Sequence, residues 1–313
     1  MTPRDRHEPP GADDDGPGLY DHVPSEDYHP WPALGSTDVK VLATRTPAHY
    51  RYHADHPREA SAAMDLGSLV HALVLDPAEA DRFICQPPEI KVRRGKKWDA
   101  FVEENAGRTI VKAGDWEKAK RMRDALLANP QARAMLTNGR CEVSFRWDDP
   151  ETGAPCKGRA DSLPTDGALI LPGADGPIEV PLSDCAVDLK TTASADPSEW
   201  TSRSMERIGY HIQGGHYLRG LRYLGETSRQ WWAFVVVESV PPHLIAFYAL
   251  DRRSLAAGGD LAAFACRRYV DCVEADEWPG YGDGVRMIGL SDFAISAAMM
   301  RANDDTEEGE IAF

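Results

Sequence analysis

The sequence predicts a mixed α/β domain, a central sheet flanked by helices, and three observations predict it. Apolar residues recur at helical spacing between residues 61 and 136, and the period switches to two from 141 to 164. Strand-like runs then alternate with long helical segments up to residue 275. Helix, sheet, helix and further strand is the order of a chain that layers helices on a sheet. With 313 residues and 42% hydrophobic content, the chain can bury a sizeable core.

Each element has its own signal. Residues 1 to 33 are rich in Pro, Gly and Asp and are expected to form a disordered acidic N-terminal tail. Order should begin near "GSTDVKVLATRTPAHYRY" (35 to 52), where Ser36 or Thr37 can cap a short helix that ends before Pro47. In "SAAMDLGSLVHALVLDP" (61 to 77), Leu66, Leu69, Val70, Leu73 and Val74 mark a helix face that Pro77 ends. "KVRRGKKWDAF" (91 to 101) reads as a basic loop entering a helix, and "DWEKAKRMRDALLANPQARAML" (115 to 136) as an amphipathic helix interrupted at Pro130. "CEVSFRW" (141 to 147) and "KGRADSLP" (157 to 164) form a hairpin around "DDPETGAPC". After a Gly/Pro-rich insertion comes the strand "CAVDLKTT" (185 to 192), with Val187 and Leu189 on one face and Asp188 and Lys190 on the other. A long helix is expected from Pro197 to Leu224, then strands at 230 to 239 and 243 to 250, and a last helix from 254 to 275. The folded domain should span 34 to 300, with an acidic C-terminal tail over 301 to 313.

Bulk properties narrow the partners. The longest apolar runs are far short of the ~20 residues that cross a bilayer, and the N-terminus lacks the apolar stretch of a secretory leader, so a cytoplasmic protein with no membrane partner is expected. Six cysteines without a C-x-x-C pair read as free thiols. A net charge of −15 argues at first against a polyanionic partner. Its distribution removes the objection, because residues 1 to 30 carry −6 and residues 301 to 313 carry −4, leaving −5 on the body. A nearly balanced body can hold a basic groove.

The charged residues of the strands point to a site. If the strand ending in "GRAD" pairs with "CAVDLKTT", then Asp161, Asp188 and Lys190 converge at one sheet edge. Clustered carboxylates repel unless a cation is bound, and oxygen-rich sites suit Mg²⁺ or Mn²⁺. A lysine there can orient a water or stabilise charge developing on a phosphate. By itself, D-x-K reads as readily as a salt bridge at a strand end. Glu142 lies on the same strand face as Ser144 and Arg146 and can add a third carboxylate. His71 lies four residues after Gly67, whose lack of a side chain permits close backbone approach; it is either a ligand or a satisfied histidine. Tyr210, Gln213 and Tyr217 share one helix face, which fits packing as well as a site. The basic run Lys91, Arg93, Arg94, Lys96 and Lys97, with Trp98 available for base stacking, reads as a strand-tracking surface or a solvated loop.

The ordered set "GSLVH", the Glu of "CEVSFRW", "KGRAD", "DLKTT" and "QGGHY" resembles the exonuclease VIII (RecE-like) branch of the PD-(D/E)XK nuclease superfamily, over about residues 35 to 250. "TPAHYRY" and "RRGKKWDAF" also look like that branch. The resemblance implies a restriction-endonuclease-like mixed central sheet flanked by helices, Mg²⁺-dependent phosphodiester hydrolysis with Mn²⁺ as a substitute, and double-stranded DNA ends as substrate. It implies metal ligation by His71, Asp161, Asp188 and the Leu189 carbonyl. Lys190 would be the catalytic lysine beside Asp161, Asp188 and Glu142, with Gln213 and Tyr217 supporting the site or contacting DNA. It further implies 5′-to-3′ resection of linear duplex for phage-type recombination, a single-strand annealing protein as partner, and a homo-oligomer. A structure-specific endonuclease of the same superfamily or a catalytically silent DNA-binding module are the rivals; an iron–sulfur relative would need four suitably placed cysteines. The 27-residue separation of Asp161 and Asp188 departs from the pattern and raises a question of substrate access. The tail "DDTEEGEIAF" resembles the acidic, phenylalanine-ended tails of single-strand DNA-binding proteins.

Overall fold

Seven strands form one mixed sheet, built largely by the segments whose side chains alternate in sequence. In chain order the strands are β1 (Arg4–Arg6), β2 (Gly18–Tyr20), β3 (Phe83–Cys85), β4 (Thr109–Val111), β5 (Gly139–Asp148), β6 (Pro155–Pro164), β7 (Ala168–Leu171), β8 (Ile178–Pro181), β9 (Cys185–Thr192), β10 (Trp231–Glu238) and β11 (Ile245–Ala249). The main sheet has the order β1-β2-β5-β6-β9-β10-β11, while β3/β4 and β7/β8 pair separately. Only β1/β2 and β9/β10 run parallel within the main sheet. The helices are α1 (Ser25–Tyr28), α2 (Ser36–Thr44), α3 (Pro47–Asp55), α4 (Ala62–Leu75), α5 (Lys96–Glu104), α6 (Ala113–Ala128), α7 (Pro130–Thr137), α8 (Pro197–Glu199), α9 (Tyr210–Tyr223), α10 (Arg252–Ala275) and α11 (Asp292–Glu307). This computed structural model describes residues 4–6, 16–56 and 61–307; the tail motif ending in Ile311 and Phe313 lies outside them.

The strand β10 shows how the layers are made. Trp232, Phe234 and Val236 enter one core with α2, α9 and α10, and Ala233, Val235 and Val237 enter a second core with α4, α6 and α7. A strand buried on both faces is a continuous apolar run, and "WWAFVVV" is that run. The insertion before β9 folds as the β7/β8 hairpin, whose Leu169 and Val180 join the second core while Ile170 and Ile178 face outward.

Three expectations are corrected. Residues 16–33 are not a featureless tail: β2 pairs antiparallel with β5, and Tyr20, Val23, Tyr28 and Trp31 form a small buried cluster. Composition hid this because four large apolar side chains are spread among acids and prolines. The long helix from Pro197 is broken. A π-helical stretch (Trp200–Arg207) ends at Ile208, and Gly209, at φ +76°, starts α9 in a conformation that favours glycine. The N-cap of α2 is Gly35, whose N–H donates to the Asp38 carboxylate at 2.9 Å, rather than Ser36 or Thr37.

Contacts divide the chain into a unit of residues 1–278 and a unit of residues 279–313, so the boundary falls before Pro279 instead of at 300. The run "PGYGDG" (279 to 284), with three glycines in six residues, explains the break. The second unit carries α11.

Candidate active site

A cleft of about 1160 Å³ opens in the first unit, and the sheet, α2, α4 and α9 converge on it. It is lined by His71, Glu142, Asp161, Asp188, Leu189, Lys190, Gln213 and Tyr217, so every residue that sequence assigned to catalysis or metal binding faces one space.

The acids arrive there because β6 and β9 pair only once, Ser162 opposite Val187, and then part. Beyond that rung the Leu189 N–H has lost its strand partner and donates to Asp161 Oδ2 at 2.7 Å. The Leu189 carbonyl accepts from His71 Nε2 at 2.8 Å. One residue of β9 is thus held at both its backbone groups, by an acid from β6 and an imidazole from α4. Gly67 lets α4 come this close, since a Cβ there would lie 3.3 Å from Thr191 Oγ1. With Nε2 committed to the carbonyl, His71 turns Nδ1 toward Asp161 Oδ2 at 3.6 Å and Glu142 Oε1 at 3.8 Å. Glu142 sits in β5 at φ +50°, a strained conformation for a non-glycine residue that concentrates at functional sites. Donor atoms of His71, Glu142 and Asp161 all lie within 4.8 Å of one another.

A second group adjoins the first. Asp188, 1% exposed, meets Lys190 Nζ through Oδ2 and accepts from Gln213 Nε2 through Oδ1 at 2.8 Å. Gln213 Oε1 faces Lys40 Nζ at 3.4 Å. Lys40 and Lys190 both stand over the Tyr210 ring, at 5.0 and 5.1 Å. Tyr217 donates to Ser36 Oγ at 3.4 Å, tying α9 to α2.

The electrostatics are those of a charged cluster out of water. Burial, with the neighbouring Glu142 charge, pushes the Asp161 carboxyl up against the opposing pull of His71 and Lys190. Burial pushes Asp188 up to about 6 although Lys190 opposes it. Burial also works against the charged forms of His71 and Lys190, but the acids outweigh it: His71 rises to about 9, and Lys190 rises under Asp188 and Asp161. Lys40 goes the other way, down to about 8, through burial and then the Lys190 charge.

Two carboxylates and an imidazole fit a divalent cation. Hard oxygen donors suit Mg²⁺ or Mn²⁺, and ligating imidazoles commonly donate their second N–H to a backbone carbonyl, as His71 does to Leu189. The proton on His71 stands where the carboxylates call for positive charge.

Several placements differ from the sequence reading. Asp188 lies beside Lys190 and Gln213 and outside the three-residue donor cluster, while Glu142 lies within it. The Leu189 carbonyl holds His71. Arg93, Arg94, Lys96, Lys97 and Trp98 line no part of the cleft. Arg93 stands over the Trp98 ring at 5.2 Å and donates to Gln86 Oε1 and the Ile110 carbonyl. The β7/β8 hairpin lines no part of it either. Sequence reasoning missed Lys40, a single lysine on an amphipathic helix with nothing nearby in sequence to mark it.

A family described as a PDDEXK-like domain of unknown function (DUF3799) matches residues 37–171 and 178–289, and the six residues between are the tip of the β7/β8 hairpin. The crystal structure of a candidate exonuclease from Eubacterium rectale shares the fold with a TM-score of 0.57, at 15% identity, covering 88% of this chain and 98% of that one. No curated protein matches the sequence. The matched residues make up most of the chain and include His71, Glu142, Asp161, Asp188, Lys190 and Lys40, and the chain belongs to this PDDEXK-like domain family.

Proposed function

We propose that this protein is a Mg²⁺-dependent exodeoxyribonuclease that resects linear double-stranded DNA in the 5′-to-3′ direction and hands the exposed strand to a single-strand annealing partner. The convergence of His71, Glu142 and Asp161 donors beside the Asp188–Lys190 pair carries the nuclease reading. The size of the cleft supports a polymeric substrate, since sites for small molecules span about 300–1,000 Å³. The sequence resemblance to RecE-like nucleases supports the polarity and the recombination role.

His71, Glu142 and Asp161 would hold a divalent cation, which would supply Lewis-acid polarisation of the phosphate. The remaining chemistry is the chain's own. Asp188 and Asp161 keep Lys190 charged, so it acts as a fixed positive group where negative charge develops on phosphorus-bound oxygen. Gln213 fixes the Asp188 carboxylate, and Leu189 fixes Asp161 and His71, so the acids need little reorganisation. Lys40 and Arg159, also in the cleft, supply positive charge for the phosphate backbone.

The test is incubation with end-labelled linear duplex and closed circular duplex, with Mg²⁺ or EDTA, beside Asp188→Ala and Lys190→Ala. Mg²⁺-dependent release from 5′ ends of linear DNA, lost in both variants, is the expected result. Equal activity of wild type and variants refutes the assigned residues, and cleavage of the closed circle makes the enzyme an endonuclease.

A further inference from the structure

The cleft has one wall that lies upstream of the family-matched residues, which begin at 37. Val23, Ser25, Tyr28 and His29 line it. This segment is tied to the sheet at several points. The Asp21 carboxylate accepts from Arg140 Nε at 3.0 Å, and the Val23 carbonyl accepts from the Arg159 guanidinium at 2.8 Å. Lys157, 8% exposed, spends its ammonium on the carbonyls of Tyr28, His29 and Trp31 at 3.3, 2.6 and 2.9 Å. A buried lysine on three backbone carbonyls has no role in the sheet itself; it fastens a loop. Other residues of the cleft, Glu79 and Arg82, come from the turn after α4. Burial, then Arg159 and Lys157, then Arg82 hold the His29 imidazole below its ordinary value, so cations of β6 and of the turn after α4 both act on it.

We propose, resting on the nuclease reading above, that residues 18 to 33 are a strap that closes one side of the cleft, so that the site admits a strand with a free end and excludes a continuous strand. A terminus can be fed past a closed wall, whereas an unbroken strand must leave the cleft on both sides. The strap converts a cleft that could cut internally into one that works from ends.

The test uses the full chain. Lys157→Met keeps the bulk of the side chain and removes the three carbonyl bonds, and Arg140→Gln loosens the start of the strap without touching the buried ammonium. Hydrogen exchange of residues 18 to 33 reads release of the strap; initial rates on closed circular and linear duplex DNA of equal length read selectivity. Faster exchange together with a circular-to-linear ratio raised about tenfold or more is expected in whichever variants fold. A released strap with an unchanged ratio overturns the proposal, and so does a strap that stays protected in both variants. A wild-type protein inert on linear DNA with Mg²⁺ sinks the nuclease reading instead, and is recognised before any variant is made.

Discussion

Two buried acid–base groups in the same unit have opposite electrostatics. At the β5/β6 turn, Asp149 is 2% exposed and accepts from Glu151 N, Thr152 N, Thr152 Oγ1 and Arg219, with Arg267 beyond on Glu151. Burial alone would raise its carboxyl, but the Arg219 and Thr152 hydrogen bonds outweigh burial and hold it below its ordinary value. In the cleft, Asp161 and Asp188 also have basic neighbours, yet both carboxyls lie above theirs. The turn gives its acid more hydrogen-bond donors than desolvation costs; the cleft places acid beside acid and leaves charge to be satisfied from outside. A buried carboxylate with a partner is therefore a structural feature or a functional one according to the sign of that balance.

Isosteric removal of charge at each place is the sharpest way to break the contrast. Asp161→Asn can still accept the Leu189 N–H, so the fold should hold while nuclease activity falls about 10³-fold or more. Asp149→Asn should leave the rate on DNA unchanged and cost about 1.5–3 kcal/mol of stability, read as a lower Tm by calorimetry. If Asp161→Asn destabilises as much as Asp149→Asn and keeps its activity, the cleft acids are structural.

The lysines extend the contrast to cations. Lys40 makes no ion pair among the described residues, and its ammonium lies beside Gln213 and the Tyr210 ring. Lys96 and Lys97 are exposed and outside the cleft. Binding of DNA in Ca²⁺ should weaken roughly tenfold in Lys40→Met, with the slope of log K against log salt reduced by about 0.9. The double change Lys96→Met, Lys97→Met should matter less. The reverse ranking would return the phosphate-tracking role to the segment around Trp98.

Much of the fold was legible because its strands are long and their neighbours have clear turn chemistry. "WWAFVVV" is the continuous apolar run of a doubly buried strand, and the pattern Val187/Asp188/Leu189/Lys190 separated the apolar face of β9 from the face that carries the charged pair. Local signals failed where the cause is long-range. The cluster of Tyr20, Tyr28 and Trp31 is held by Lys157 and Arg159 from β6, more than 120 residues away, and no window around residue 28 contains that information. The candidate site was legible as a set of residues only in that Asp161, Asp188, Lys190, Gln213 and His71 line one cleft. Its internal division was not: whether Asp188 or Glu142 joins the imidazole depends on where β6 and β9 separate and on the positive φ of Glu142, and neither is written in spacing.

The smallest expected effect uses pH to separate the two groups. Without metal, His71 has a folded value of about 9 against an ordinary 6.5. Because the folded value is the higher one, its contribution to stability is complete below about pH 6.5, fades as pH rises, and is gone above about 9. Asp149 has the lower folded value, so its contribution is present above the ordinary carboxylate range and is lost on the acid side. Thermal scans of wild type and His71→Gln in EDTA should therefore converge toward pH 9, with wild type about 2–5 °C higher near pH 6. Scans of Asp149→Asn should converge with wild type only in acid. Added Mg²⁺ must displace the His71 proton, so the Tm gain it gives should grow from pH 6 to 9. A Mg²⁺ gain that is flat across that range, or equal in His71→Gln, would remove the imidazole from the cation site and leave the two carboxylates to hold the ion alone.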